Sequence, residues 1–302
     1  MSNTKKLNLP INACIPSPID SRDVLLSAVS SSPTRIPLEF PPLFDLNISD
    51  QNGFPHCVGY ASATIKEEKE NRERNSVIFD GDWIYKKCKE IDEAPNLQGT
   101  YLRVAMKILQ KTGAKPLNSP EANAGAYRIG GYARVDNNTF EGLKRAIAVN
   151  GALLAGFTGS NEGWGSADIR PPKTGERTWG HAVALVGYKQ DRIIIQNSWG
   201  KEKGDGGFFY MPANYIPFEA WAILTDLPTD LIGVNATQGW VAKDFLNNEM
   251  EVGDIVSSSC RLNIRKEPNG EKILTMEKDQ KLVVIGDERK AGAYTWINVK
   301  II

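Results

Sequence analysis

Gln51-Asn52-Gly53-Phe54-Pro55-His56-Cys57 runs directly into Val58-Gly59-Tyr60-Ala61, the start of a helical pattern. The stretch therefore sets a cysteine at a helix N-terminus, with a side-chain amide six residues before it. A helix N-terminus carries about half a positive charge, and its free N–H groups point at whatever sits there. A thiol at that point ionises more easily, and thiolate is its nucleophilic form. Beyond Cys57, the periodicity predicts Val58, Ala61 and Ile65 facing inward and Lys66, Glu67, Lys69 and Glu70 facing outward. By itself such a cysteine is more often a buried structural residue, so its partners decide.

A catalytic thiol needs a base, and the chain has two histidines. His56 adjoins Cys57, and neighbours on a helix do not face each other. His181 is left as the candidate base. It lies in Gly180-His181-Ala182-Val183-Ala184-Leu185-Val186-Gly187-Tyr188, a short apolar run bounded by glycine, as a buried strand should be. A second run, Arg192-Ile193-Ile194-Ile195-Gln196-Asn197-Ser198-Trp199-Gly200, follows a hairpin loop at Lys189-Gln190-Asp191. That loop sets Val183 opposite Asn197 and His181 opposite Trp199. His181 and Asn197 then form a diagonal pair on one face, within side-chain reach. Asn197 is placed to orient the imidazole as the third member of a triad does, with Trp199 shielding the contact. A slip of one residue would move Asn197 to the other face.

With these residues in place, the stretch from Phe44 to Asp226 resembles the papain-like cysteine peptidases. Gln51 and Cys57 match the family's oxyanion-donating Gln and nucleophile. His181-Ala182-Val183-Ala184-Leu185-Val186-Gly187-Tyr188 matches its base-bearing strand, and Asn197-Ser198-Trp199-Gly200 its N-S-W-G motif. Gly204-Asp205-Gly206-Gly207-Phe208-Phe209-Tyr210 matches the glycine-rich strand that follows. The order Cys, His, Asn agrees, and 124 residues separate Cys57 from His181, against about 130 in such enzymes. The sequence departs from the family around the nucleophile. Phe54-Pro55-His56-Cys57-Val58 replaces Cys-Gly-Ser-Cys-Trp, which removes a common disulfide partner, alters the cleft wall and puts His56 on the rim. The resemblance assigns substrate-backbone contact to Gly99 in Asn96-Leu97-Gln98-Gly99-Thr100. Trp199 is a further substrate-side candidate, and Tyr101, Trp164 and Trp179 are candidates for the pocket walls.

The 302 residues, 41% hydrophobic and 24% charged, are ordinary for a globular chain with room for one large domain and one small one. Zero formal net charge and no basic block give no support to nucleic-acid or anionic-membrane binding. No apolar stretch approaches a transmembrane length. Residues 1–12 lack the apolar core of a secretory signal, so a cytoplasmic or phage-associated setting is expected. Cys14, Cys57, Cys88 and Cys260 are scattered, with no metal-ligand spacing and no disulfide framework. No nucleotide motif is present, and no cofactor or metal is expected.

Residues 1–43 are rich in proline and polar residues and predict an extended arm that either crosses the cleft or packs along the back of the fold. The peptidase domain is expected over 44–227: an α+β, two-lobed papain-like fold with a helical left lobe and a barrel-like right lobe. Helices are expected at Asp80–Ile91, Tyr101–Lys111 (stopped by Gly113) and Thr139–Val149. Residues 228–250 read as a linker. Residues 251–302 show short alternating strands broken by Pro-Asn-Gly, Gly-Asp and Ala-Gly turns. Leu262-Asn263-Ile264-Arg265 and Trp296-Ile297-Asn298-Val299 there resemble bacterial SH3-type domains, which implies a small all-β SH3-like barrel and a bacterial cell wall as a partner. The expected activity is hydrolysis of peptide bonds by a cysteine endopeptidase acting on peptide or protein. A peptidoglycan cross-bridge endopeptidase and an inactive peptidase-like binding protein are the alternatives.

Overall fold

A computed structural model describes residues 13–29, 36–42, 47–72, 75–136, 138–224, 238–246, 255–257, 262–270, 272–276 and 281–301. The chain divides into two compact units after Ile223. The first opens with β1 (Cys14–Ile15), the short α1 (Leu26–Val29) and β2 (Glu39–Phe40). A helical layer follows: α2 (Cys57–Arg72), α3 (Gly81–Ile91), the two-residue β3 (Thr100–Tyr101) and α4 (Leu102–Lys111). The sheet layer then contains β4 (Gly131–Arg134), α5 (Phe140–Asn150), β5 (Leu153–Ser160), β6 (Thr178–Lys189), β7 (Arg192–Gln196), β8 (Phe208–Pro212) and β9 (Glu219–Leu224).

Local chemistry sets the helix bounds. Asp80 caps α3 by accepting from the Trp83 N–H at 2.9 Å, and Thr139 caps α5 through Gly142. Gly113 (φ 95°) and Gly151 (φ 80°) follow the ends of α4 and α5 in the left-handed region, where glycine is unstrained. In the sheet the strand order is β4-β9-β5-β6-β7-β8, with β2 added beside β6. Val58, Ile65, Ile84, Leu102, Met106 and Leu109 of the helices share one core with Leu154, Ala184, Val186 and Trp221 of the sheet. The Cys57 end of α2 is thereby held against the His181 strand.

The predicted outward face of α2 is corrected by the structure. Lys66, Glu67 and Glu70 are buried, as is Glu68, and Lys69 is half-buried. The helix runs through the middle of the unit, and its charges are matched locally. Lys66 pairs with Glu70, Arg72 with Glu68, and the Phe79 and Ala152 N–H groups donate to Glu67 and Glu68. Buried charges persist where such partners exist. Among the described residues Glu67 has only the Phe79 N–H (2.9 Å), and burial pushes its carboxyl up to about 7 against that hydrogen bond. A carboxyl raised on folding stabilises fully below its unfolded value and loses that contribution as pH rises through the folded one. Glu67→Gln should therefore remove up to about 3 kcal/mol of stability loss between pH 4.5 and pH 8. Urea unfolding of both chains at the two pH values checks this, and identical pH slopes would refute it.

The second unit is an antiparallel sheet of β10 (Gln238–Ala242), β11 (Ile255–Ser257), β12 (Leu262–Arg265), β13 (Lys272–Met276), β14 (Lys281–Ala291) and β15 (Tyr294–Ile301). The order is β11-β14-β15-β10-β12-β13, around Val241, Val256, Ile264, Val284, Ile297 and Val299. Two expectations change. The predicted linker, 228–250, supplies the central strand β10, whose Trp240 and Val241 are buried; residues 225–237 and 247–250 lie outside the described residues. β11 and β13 are left as edges, so among the described residues the SH3-like barrel is an open sheet.

Candidate active site

The site begins at the first residue of α2. His56 accepts the first helical hydrogen bond, from the Tyr60 N–H, so Cys57 occupies the N-terminal position with its side chain fully buried. The N–H groups of Cys57, Val58 and, across the cleft, Ala182 are directed at Sγ. His56 is held by other partners. Its Nδ1 lies 2.7 Å from Asp82 Oδ1, and its ring stacks on Tyr85 with centroids 3.8 Å apart.

His181 faces the site from β6. The hairpin turns on Gln190 and Asp191, one residue tighter than the sequence suggests, and Lys189 pairs with Arg192. A bulge between Leu185 and Gly187 restores the expected register, setting Leu185 opposite Ile195 and Ala184 opposite Gln196. As a result His181 Nε2 lies 2.8 Å from Asn197 Oδ1. That oxygen also accepts from the Ser198 N–H at 2.8 Å, so the imidazole is the donor through Nε2. Nδ1, buried and without a hydrogen-bond partner among the described residues, keeps the lone pair. Trp199 stacks on the ring at 4.7 Å, and Trp164 and Trp179 meet it edge-on at 5.8 Å. These three indoles are buried packing around the imidazole.

Gln51 is tied in place from both ends of its amide. Ser198 Oγ donates to Oε1 at 2.6 Å, and Nε2 donates to the Phe54 carbonyl at 2.6 Å. The Gln51 N–H also donates to the Ser198 carbonyl, joining the loop before Cys57 to the turn that carries Asn197. Gly99 precedes β3, and its carbonyl accepts from Lys89 Nζ at 3.1 Å. Cys14, Cys57 and Cys88 are free thiols, and no cluster of metal-ligating side chains occurs among the described residues.

The N-terminal arm completes the site. β1 pairs in parallel with β3, placing Cys14 opposite Thr100 and Ile15 opposite Tyr101. The Cys57 thiol donates to the Ala13 carbonyl at 3.4 Å. On the sheet side, a Cβ at Gly180 would come within 1.8 Å of the Cys14 carbonyl oxygen, so only a glycine admits the arm there. The Ser17 N–H donates to Glu219 Oε2 at 2.7 Å, and Arg103 pairs with Asp23 at 2.8 Å while donating to the Pro18 carbonyl. Further on, the arm leaves the cleft: Leu25 bridges to Arg134, and β2 joins the end of β6. Ala13, Cys14, Ser17 and Glu219 carried no sequence signal for the site beyond a lone acid opening the apolar run Glu219-Ala220-Trp221-Ala222-Ile223.

Burial dominates the electrostatics. It pushes the Cys57 thiol up to about 12, against the N–H groups of Ala182, Val58 and Cys57. It pushes His181 down to about 4, against the Asn197 hydrogen bond. Near neutral pH the pair therefore rests as thiol and neutral imidazole beneath the arm.

The family model described as papain family cysteine protease matches residues 85–219, a span that includes His181 and Asn197 and begins after Cys57. An uncharacterized peptidase C1-like protein of Acanthamoeba polyphaga mimivirus is 27% identical over 192 residues, 53% of this chain and 60% of that protein. Cysteine proteinase 3 of Entamoeba histolytica is 24% identical over 180 residues, 54% of this chain and 58% of that protein. The chain therefore spans about 60% of the length of these curated relatives. Among solved structures, xylellain, a cysteine protease from Xylella fastidiosa, superposes with a TM-score of 0.62 at 23% identity, over 70% of this chain and 94% of that one. The first unit has the papain-like fold, mixed helix and sheet, and the matches support the papain-like cysteine peptidase family. They give no support to an SH3-type second unit, to cell-wall binding or to a bacterial or phage origin.

Proposed function

We propose that the chain is a cysteine endopeptidase that hydrolyses peptide bonds with Cys57 as nucleophile, His181 as base and Asn197 as the group that orients it. The observation that carries this reading is the His181 Nε2–Asn197 Oδ1 hydrogen bond of 2.8 Å, which leaves Nδ1 as the basic nitrogen. In the reaction Nδ1 takes the Cys57 proton, and Sγ attacks the substrate carbonyl carbon. The developing oxyanion is held by the Cys57 N–H and by the second Gln51 Nε2 hydrogen, the first being committed to Phe54. Collapse of the tetrahedral intermediate breaks the C–N bond, and His181 returns its proton to the leaving amine. Water, deprotonated by His181, then attacks the thioester; the acid is released and Cys57 recovers its proton. The arm holds the enzyme in a latent state, because the Ala13 carbonyl sits on the thiol where a substrate must go.

Intact-mass labelling of the full chain near pH 6 with a thiol-selective peptidyl epoxide tests the assignment. A single adduct on the wild type and none on Cys57→Ala is the expected result. No adduct on the wild type, nor on an Arg103→Ala chain whose arm is loosened, would reject an activated Cys57.

A further inference from the structure

Lys89 on α3 takes no part in the proposed chemistry, yet its ammonium gathers a whole loop. Nζ donates to Asp92 Oδ2 at 2.7 Å and to the carbonyls of Ala94, Leu97 and Gly99 at 2.8, 2.9 and 3.1 Å. An ammonium has donors on three sides and no acceptor, so it can serve several oxygens that converge on one point. Asp92 is buried, and its other oxygen accepts from the Ala94 N–H at 3.1 Å. Tyr85, one turn earlier on the same face of α3, donates its hydroxyl to the Gln98 carbonyl at 2.6 Å. Among the described residues, the main chain of 92–99 bonds to itself only from the Leu97 N–H to the Ala94 carbonyl. Side chains of α3 therefore supply the donors that regular structure supplies elsewhere.

What the loop carries is β3. Gly99, the last residue that Lys89 holds, directly precedes Thr100 and Tyr101, the edge on which the arm lies as β1. A two-residue strand has little pairing of its own to fix its position. At its other end the same helix face reaches the nucleophile: the Tyr85 ring stacks on His56, the residue before Cys57, with centroids 3.8 Å apart. Helix α3 is thus braced to the Cys57 loop through Tyr85 and to the β3 edge through Tyr85 and Lys89.

We propose that Lys89 is a positioning residue which, with Tyr85, holds the β3 edge at the distance from Cys57 that an extended peptide needs. This rests on the cysteine peptidase reading and adds the device that aligns a peptide with the thiol. At rest the arm occupies the edge; when it leaves, the edge is open to another main chain, as unpaired strand edges are. Without the ammonium, the carbonyls of Ala94, Leu97 and Gly99 and the Asp92 carboxylate lose their shared donor, and the loop that sets the edge loses its fixed course. The reaction at Cys57 does not pass through Lys89. Its loss should therefore weaken reagents that lie along the edge and spare those that do not.

The test compares two labelling rates at Cys57 of the full-length chain, read by peptide mapping. Iodoacetamide needs only an open thiol, whereas a peptidyl epoxide must also lie along β3. Loosening the arm raises both rates, so their ratio cancels it, and Arg103→Ala should leave the ratio unchanged. Lys89→Met keeps the length of the side chain and loses its donors. It should lower the epoxide-to-iodoacetamide ratio by about tenfold or more, the scale of a lost charge-assisted hydrogen bond. Tyr85→Phe, which removes one hydroxyl and keeps the stack, should lower it by less, and it decides the matter if Lys89→Met does not fold. An unchanged ratio in the deciding variant, or an equal fall in Arg103→Ala, would overturn the proposal and leave the peptidase reading standing. Iodoacetamide labelling with no epoxide labelling, in both the wild type and Arg103→Ala, would overturn the two together.

Discussion

Cys57→Ala is expected to lower turnover of a peptide substrate by about five to six orders of magnitude, the scale that follows loss of one member of a nucleophile–base pair. Binding should survive, since the change removes one sulfur at the end of a helix fixed by Val58, Ile65 and the sheet. Gln51 should behave differently. Its loss removes the proposed oxyanion donor and should cost roughly 10²–10³ in kcat. Because its Oε1 also anchors Ser198 Oγ, Gln51→Ala disturbs the turn that carries Asn197 as well. Gln51→Glu keeps that acceptor and loses the donor, so it isolates the oxyanion contribution. Steady-state kinetics on one peptide decide the matter: a loss under about tenfold in both Gln51 variants would remove the residue from that role, and a Cys57→Ala chain that still turned over would remove the nucleophile.

The site was legible in the sequence wherever its geometry is local. The pairing of His181 with Asn197 follows from a hairpin whose two strands are adjacent in the chain, so counting from the loop finds the diagonal. Even there the count succeeds through compensation, since the tighter Gln190–Asp191 turn is offset by the bulge at Val186. What was not legible depends on contacts between distant segments. The burial of Lys66, Glu67 and Glu70 depends on α2 lying between other helices and the sheet, which its own periodicity cannot reveal. Strand β10 is five residues long and flanked by turn formers, too short for alternation to outweigh them. Cys14, Gly156 and Glu219 lie far apart in the chain, and only the pairing of β5 with β9 and the course of the arm bring them together.

Loosening the arm is expected to raise the rate of Cys57 alkylation in the full chain by roughly 100-fold, the gain available if about one molecule in a hundred is open at rest. Arg103→Ala is the mildest way to do it. This guanidinium holds Asp23 and the Pro18 carbonyl, the last anchors before the arm enters the cleft. Leu25 stays bridged to Arg134, and Glu39 and Phe40 stay paired with β6. The direction follows from the protonation states. With the arm in place, burial holds the thiol at about 12 and the imidazole at about 4, so at pH 6 both are neutral and the reactive thiolate–imidazolium pair is scarce. Admitting water lowers the first value and raises the second, and the pair gains population across the interval between them. Arg103→Ala should therefore raise the rate most near neutral pH and least below pH 4, where the imidazole is protonated with or without the arm. A uniform increase at all pH values would indicate relief of steric blockage alone. An unchanged rate in Arg103→Ala and in a folded chain lacking residues 1–18 would show that the arm does not gate the thiol.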